Sequence, residues 1–314
     1  MISRRLIRTK ALHMLYCHKK DAESTLLNTE KNLLYSINKS YDLYHLVLLL
    51  LKEFREISIK KMEIAINKNI PTEEDLNPNK KFIYNKLLIQ IAEHPELIDY
   101  TKRNQISWDN QEIAVRKILA DFISTPEFTE YMNGSEFSYK EDKDIIIFFL
   151  NKFLINNEDF FTLVEDEGIF WNDDTELAIS MALRTVKKFK AEAPAHLMPK
   201  YTNDDDELYA KTLIRKALID YQNHSNFIEK YTKNWEIDRI AFTDILILIL
   251  GLTEAKEFSN IPVKVTINEY IELAKNYSTN KSGTFVNGIL DRMISDLRKE
   301  KVILKTGRGL IGDE

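Results

Sequence analysis

Three arginines open the chain within two helical turns: Arg4, Arg5 and Arg8 in SRRLIRTK. Arg4 and Arg8 are four residues apart, Arg5 and Arg8 three, so on a helix their guanidinium groups share one face. Lys10 and His13 extend the charge. Arginine presents a planar fork that matches phosphate oxygens and stacks on bases. In a chain of net charge −5, nucleic-acid binding needs such a local basic patch. Read alone, the cluster is either a phosphate site or a solvated terminus.

A second concentration of specific residue types lies at 262–291, PVKVTINEYIELAKNYSTNKSGTFVNGILD. Thr266 and Glu269 have the T-x-x-E spacing of a capping box, and Pro262–Val265 reads as a short extended run before it. Ser282 is placed to N-cap the last helix. Val286, Ile289, Leu290, Met293 and Leu297 would form that helix's buried stripe. Gly288 inside it costs roughly 1 kcal/mol against Ala, which predicts a second helix passing close by. Asn287 is then expected to be packed and hydrogen-bonded. Phe285, in the first turn, reads as core or as a base-stacking platform. Asp244, an acid inside the apolar run 240–252, is either a solvated side chain or a contact for a partner.

The elements that position these residues are helical. Gly 8 and Pro 7 among 314 residues fall well below the average usage of roughly 12%. Apolar residues recur at spacings of three and four over about 3–18, 26–68, 79–93, 95–102, 109–123, 126–132, 140–155, 157–166 and 173–192, and again through 205–300. Strand patterns are nearly absent, so the chain is expected to be all-α. PTEEDLNPNKK and EAPAHLMPKYTNDDD, at 192–206, read as linkers. The helix over 238–256 is apolar around most of its circumference and should be central to a bundle. FLNKFLINNEDFF with Trp171 and Asp174 weakly echoes LIRKALIDYQNHSNFI with Trp235 and Asp238.

Several function classes lack their signatures. The single cysteine, Cys17, excludes a disulfide framework and fits a reducing cytoplasm. Apolar runs such as Leu46–Leu51 stop far short of the roughly 20 residues that a membrane span needs, and MISRRLIRTK has no apolar segment behind it, so no signal peptide is expected. The six histidines show no metal-ligand spacing, and no Walker A, HExxH or GxSxG sequence occurs. Gly307, Gly309 and Gly312 spell G-x-G-x-x-G, but the dinucleotide fingerprint needs a strand before it and a helix after it. These glycines are expected in a flexible tail. No enzyme is predicted.

W-x-x-D-R-I-A at 235–241, P-V-K-V-x-I-N-E-x-I-E-L-A-K-x-Y-S at 262–278 and S-x-x-F-V-N-G-I-L-D at 282–291 closely resemble the C-terminal half of the NusB family of transcription antitermination proteins. The opening R-R-x-x-R-x-x-A-x-x-x-L-Y, through Arg4, Arg5, Arg8, Ala11, Leu15 and Tyr16, resembles the family's first helix. The likeness spans about 205–298 well and 3–18 moderately. It implies a NusB-like bundle of two helical subdomains, enlarged here by inserted helices. On that basis 1–20 is the basic first helix, 21–200 an expanded helical region, 201–300 the C-terminal helical domain and 301–314 a flexible tail.

The resemblance further implies a cytoplasmic, RNA-binding antitermination factor without cofactor or small-molecule substrate. Its expected partners are NusE (a small-subunit ribosomal protein), single-stranded boxA-like RNA and the RNA polymerase antitermination complex that supports rRNA transcription. Carried over residue by residue, the RNA contacts are Arg4, Arg5, Arg8, Lys281, Ser282 and Phe285, and Asp244 is the acid facing the ribosomal protein. The chain departs from the family at Lys281, where an acid often precedes the serine, and at Thr284, where a lysine often precedes the phenylalanine. A helical protein-binding scaffold that has lost RNA binding is the competing reading. An RNA methyltransferase is disfavoured, because the NusB-like block is C-terminal and no cofactor-binding glycine loop precedes it.

Overall fold

Helix formation follows the apolar periodicity closely. The computed structural model describes residues 1–135, 137–193, 195–232 and 240–311. Among them the chain is all-α, as expected. The helices are α1 (Arg4–Lys20), α2 (Leu26–Ile66), α3 (Glu73–Leu76), α4 (Lys86–Ala92), α5 (Pro95–Asn104), α6 (Glu112–Ile123), α7 (Pro126–Asn133), α8 (Tyr139–Phe148), α9 (Glu158–Glu167), α10 (Thr175–Lys188), α11 (Asp206–Ile219), α12 (Tyr221–Thr232), α13 (Phe242–Glu257), α14 (Val263–Tyr277) and α15 (Ser282–Lys299). The only pairing of extended backbone among the described residues is an isolated parallel bridge, Ile2 with Tyr201. No described helix is long and apolar enough to cross a membrane.

The chain divides into two compact units: Met1 with Asn38–Lys200, and Ile2–Ile37 with Tyr201–Glu314. In the first, α2 is the central element, with every residue from Leu46 to Leu51 buried. Phe54 meets Phe149 at 5.2 Å between ring centroids, Phe149 meets Phe122 at 4.9 Å, and Phe122 meets Phe128 at 5.1 Å. Buried polar groups are hydrogen-bonded, as burial demands. Trp108 Nε1 donates to the Leu46 carbonyl at 2.9 Å, and Tyr131 Oη to Asp142 at 2.6 Å.

In the second unit α13 is central, buried on all sides from Leu246 to Ala255, as its sequence predicts. It packs against α1, α11, α12, α14 and α15. Gly251 permits the closest of these approaches. A Cβ there would stand 3.1 Å from both Leu290 methyl carbons of α15. The close contact predicted at Gly288 thus belongs to Gly251. Gly288 and Asn287 are exposed, and a Cβ on Gly288 would meet nothing within 4 Å.

One predicted helix start also shifts. α14 begins at Val263, so of the run 262–265 only the cap, Pro262, is extended, and Thr266 lies inside the helix. Proline pre-sets the backbone for helix entry and has no N–H to leave unpaired. The tail differs as well. Ile303 is buried, Lys305 Nζ donates to the carbonyls of Ala255 and Phe258 at 2.9 and 3.0 Å, and the Thr306 N–H donates to Ser259 O at 3.0 Å. Lysine here satisfies carbonyls left open at the C-terminus of α13.

Two of the glycines expected in a flexible tail serve this docking. Gly307 adopts φ +52°, and a Cβ on Gly309 would lie 1.9 Å from the Ser259 carbonyl oxygen. Gly312 lies outside the described residues. Gly309→Ala is therefore expected to release 302–310 while leaving the helices folded. Hydrogen exchange would show protection lost within 302–310, at Thr306 above all, and kept in the helices; unchanged protection at Thr306 would refute the contact.

Candidate functional site

The three arginines share a helix but not a destination. Ser3 caps α1, accepting from the Leu6 N–H at 3.4 Å. Arg4 donates to Asp206 at 2.8 Å and Asp205 at 2.9 Å, beside the start of α11. Arg5 grips both carboxylate oxygens of Glu269 on α14, at 3.0 and 2.7 Å. Arg8 turns inward and grips both oxygens of Glu254 on α13, at 2.7 and 2.9 Å. Its side chain is 5% exposed, against 67% for Arg5. The expected convergence of three guanidiniums on one surface is thus corrected: each is matched to a carboxylate far away in sequence.

Glu254 is fully buried and receives three further hydrogen bonds. Thr266 Oγ1 donates at 2.8 Å, Tyr270 Oη at 3.4 Å, and Tyr209 Oη forms a short contact. Burial pushes the Tyr209 and Tyr270 phenols well above their ordinary range. Both remain protonated and therefore able to donate. The hydrogen bonds from Arg5 hold the Glu269 carboxyl below its usual range, against the opposing effect of burial.

At the other end of α1 lies the corner made by α13, α14 and α15. Asp244 sits in the first turn of α13, buried, and its Oδ2 accepts from Ser282 Oγ at 2.8 Å. The same serine oxygen accepts from the Thr279 N–H at 3.1 Å and lies 3.1 Å from Ser278 Oγ. Ser282 is therefore the first residue of α15, not its cap. It ties the 278–282 loop to α13. Asp244 Oδ1 has no hydrogen-bond partner among the described residues. The W-x-x-D-R segment just upstream, at 235–239, lies outside them, as do Trp235 and Asp238 of the sequence echo. Phe285 is only 8% exposed, so its ring belongs to the core. Gly283 packs on α14, where a Cβ would come within 3.0 Å of Lys275 Cγ.

Of the expected contact residues, Arg5 and Lys281 are exposed, Arg4 is half-buried, and Arg8, Ser282, Phe285 and Asp244 are buried. Beside the corner stand exposed Tyr16 and Lys20 and half-buried His13, Phe242 and Tyr277, which the sequence did not single out as a contact surface. Tyr16 and Phe242 meet edge-on at 5.6 Å, and Lys20 Nζ stands 4.6 Å from the Phe242 ring centre. His13 meets Tyr277 at 5.1 Å. The i,i+4 pair Tyr16–Lys20 was the available signal, but Phe242 is remote in sequence.

Comparison with known proteins places this geometry. The NusB family model matches residues 173–295. The transcription antitermination protein NusB of Salinibacter ruber is 42% identical over 125 residues, which is 39% of this chain and 78% of that protein. NusB of Natranaerobius thermophilus is 38% identical over 99 residues, covering 32% of this chain and 71% of the relative. NusB of Chloroherpeton thalassium is 39% identical over 99 residues, covering 32% and 47%. No solved structure matched. The chain belongs to the NusB family of transcription antitermination proteins.

Removing one partner of a buried ion pair leaves an uncompensated charge, at a cost of about 3–5 kcal/mol. Arg8→Ala should accordingly lower the thermal midpoint steeply. Arg8→Met combined with Glu254→Leu should cost less than the two single changes added together, the sign of a direct pair. Glu269 adds a pH signature. Its folded-state pKa is depressed, so its contribution is present above the unfolded carboxylate value of about 4.3 and is lost as pH falls through the folded value. Urea titrations between pH 6 and 3 should show this loss, and Glu269→Gln should flatten it.

Proposed function

We propose that this chain is an RNA-binding transcription antitermination factor that, with ribosomal protein NusE, binds boxA RNA and supports rRNA transcription by RNA polymerase. The observation that carries this reading is the family match across 173–295, which includes the corner from Asp244 to Ser295 in α15. Arg5 and Lys281 are the side chains best placed to meet phosphate. Phosphate contacts set position, whereas unpaired bases are read by stacking and edge contacts.

Energetics separate the arginines. The Arg5–Glu269 pair is partly exposed, and such pairs are worth about 0–1 kcal/mol. Arg5 can exchange Glu269 for a phosphate at little cost. Arg8 cannot, because leaving Glu254 would strand a buried carboxylate. Arg4 is intermediate. In this reading Arg8, Ser282 and Phe285 shape the site from beneath, and Asp244 holds the corner through Ser282. Exposed Tyr16 and Lys20 with half-buried Phe242 take over the role of protein-facing surface: aromatic residues and arginine are enriched where proteins meet.

One observation favours the competing reading, a protein-binding scaffold without RNA affinity: Arg4, Arg5 and Arg8 are all already engaged by carboxylates. Fluorescence anisotropy with a labelled boxA-like single-stranded RNA, with and without the cognate ribosomal protein and across a salt series, separates the two. Under the proposal the ribosomal protein tightens binding, and Arg5→Ala and Lys281→Ala each weaken it and reduce the salt slope by about one. Binding that is absent in both conditions would leave the scaffold.

A further inference from the structure

The first unit is acidic overall, yet one stretch of it has no acid at all. Residues 177–191, LAISMALRTVKKFKA, hold Arg184, Lys187, Lys188 and Lys190 and no carboxylate. The four cations close α10 and open the turn after it, and all are exposed. Among the described residues none of them has a carboxylate partner; Lys188 Nζ approaches only the Met198 sulfur, at 3.7 Å. Other exposed cations of this unit are held by acids: Arg103 by Asp99, Arg116 by Glu112 and Lys117 by Asp159.

The fold does not account for this row. Like charges at i,i+3 and i,i+4, here Arg184–Lys187 and Arg184–Lys188, destabilise a helix. Cations do favour a helix C-terminus, through its dipole and its open carbonyls. Lys143 of α8 already fills that place: its Nζ donates to the carbonyls of Lys187 and Phe189, at 2.8 Å each. The turn beyond is held by Gln90 Nε2, which donates to the Lys190 carbonyl at 3.0 Å. The backbone under the row is thus fixed by other residues, and the four charges are left to the solvent.

Their chemistry favours a phosphodiester chain. A docking protein would need an apolar centre, and lysine is depleted where proteins meet. Here the nearest large apolar side chains, Phe189, Leu197 and Met198, are buried. With no exposed ring among the four cations for a base to stack on, contact is to phosphates and carries no choice of sequence. We propose that Arg184, Lys187, Lys188 and Lys190 form a sequence-independent binding row for the sugar–phosphate backbone of single-stranded RNA. The row lies in the first unit, whereas Arg5 and Lys281, the phosphate contacts of the reading above, lie in the second. It rests on that reading only for the choice of RNA as the nucleic acid.

The test is fluorescence anisotropy on the full chain with a fluorescein-labelled oligouridylate, which carries no boxA sequence. Arg184→Gln combined with Lys187→Gln and Lys188→Gln should weaken binding roughly tenfold and lower the slope of log affinity against log salt by about two. The thermal midpoint of this triple variant should hold or rise, since like charges are relieved. Lys117→Gln, which removes a paired cation of the same unit, should leave affinity and slope unchanged. An unchanged slope in the triple variant, an equal loss in Lys117→Gln, or displacement of the probe by polyglutamate as readily as by unlabelled oligouridylate would each overturn the row. If the triple variant binds normally while Arg5→Ala with Lys281→Ala weakens binding, the row falls and the reading above stands. The opposite pattern keeps the row and removes Arg5 and Lys281 from the RNA site. No binding of the probe by the unmodified chain would also overturn the row.

Discussion

The second unit is organised around one buried carboxylate. Glu254 receives five hydrogen bonds, two from Arg8 and one each from Tyr209, Thr266 and Tyr270. The donors come from α1, α11 and α14, so a single side chain on α13 specifies where three other helices lie. Charge burial is costly, and such a pair is weak support for stability by itself. Its value here is positional. Desolvated partners tolerate no other geometry, so α1 has one place to sit. The remaining contacts of α1 agree in direction. Arg5 meets Glu269 and His13 meets Tyr277, equal steps along both helices, so α1 runs parallel to α14. Arg8 meets Glu254 and Tyr16 meets Phe242, so α1 runs antiparallel to α13.

That constraint explains which features were legible in the sequence. Helix existence and approximate ends follow from local periodicity, and most were read correctly; α3 (Glu73–Leu76) falls in PTEEDLNPNKK, which reads as a linker. The central position of α13 follows from its all-round apolar surface. The destination of each arginine was not legible, because the i,i+4 rule states which residues share a face and not what lies opposite. Glu254 and Glu269 stand some 250 residues away from α1. Ser282 was misassigned as a cap because its local pattern is that of one. Its hydroxyl is instead claimed by Asp244, a tertiary competitor invisible to spacing. Gly288 and Gly251 show the same limit. Both are helical glycines, and only the packing partners distinguish the one that admits Leu290 from the one that faces open space.

The first unit has a core of its own, independent of the Glu254 network. Acidic side chains outnumber basic ones within 38–200, and the remaining residues carry a slight basic excess. The protein's negative net charge therefore resides in 38–200. Most of that region lies outside the family match, which begins at residue 173. A global acidic balance and a basic working face are compatible when they belong to different parts of one chain. Repulsion of nucleic acid by the acidic unit would be felt only within about a Debye length, some 8 Å at physiological salt.

The division of labour at the corner then follows from cost. Buried groups that hold several helices together cannot also leave to greet a ligand, since a vacated charge in the interior costs more than a surface phosphate contact returns. Arg8, Ser282 and Asp244 are committed in this way. A recognition surface must be drawn from side chains whose present partners are weak or absent. Arg5 meets that condition through an exposed pair, and Lys281 meets it among the described residues. The family's arginine-rich opening and its F-V-N-G corner thus divide by depth. The inner residues fix the angle between α1, α13 and α15, and under the proposed RNA-binding reading the outer ones would use the surface that this angle creates.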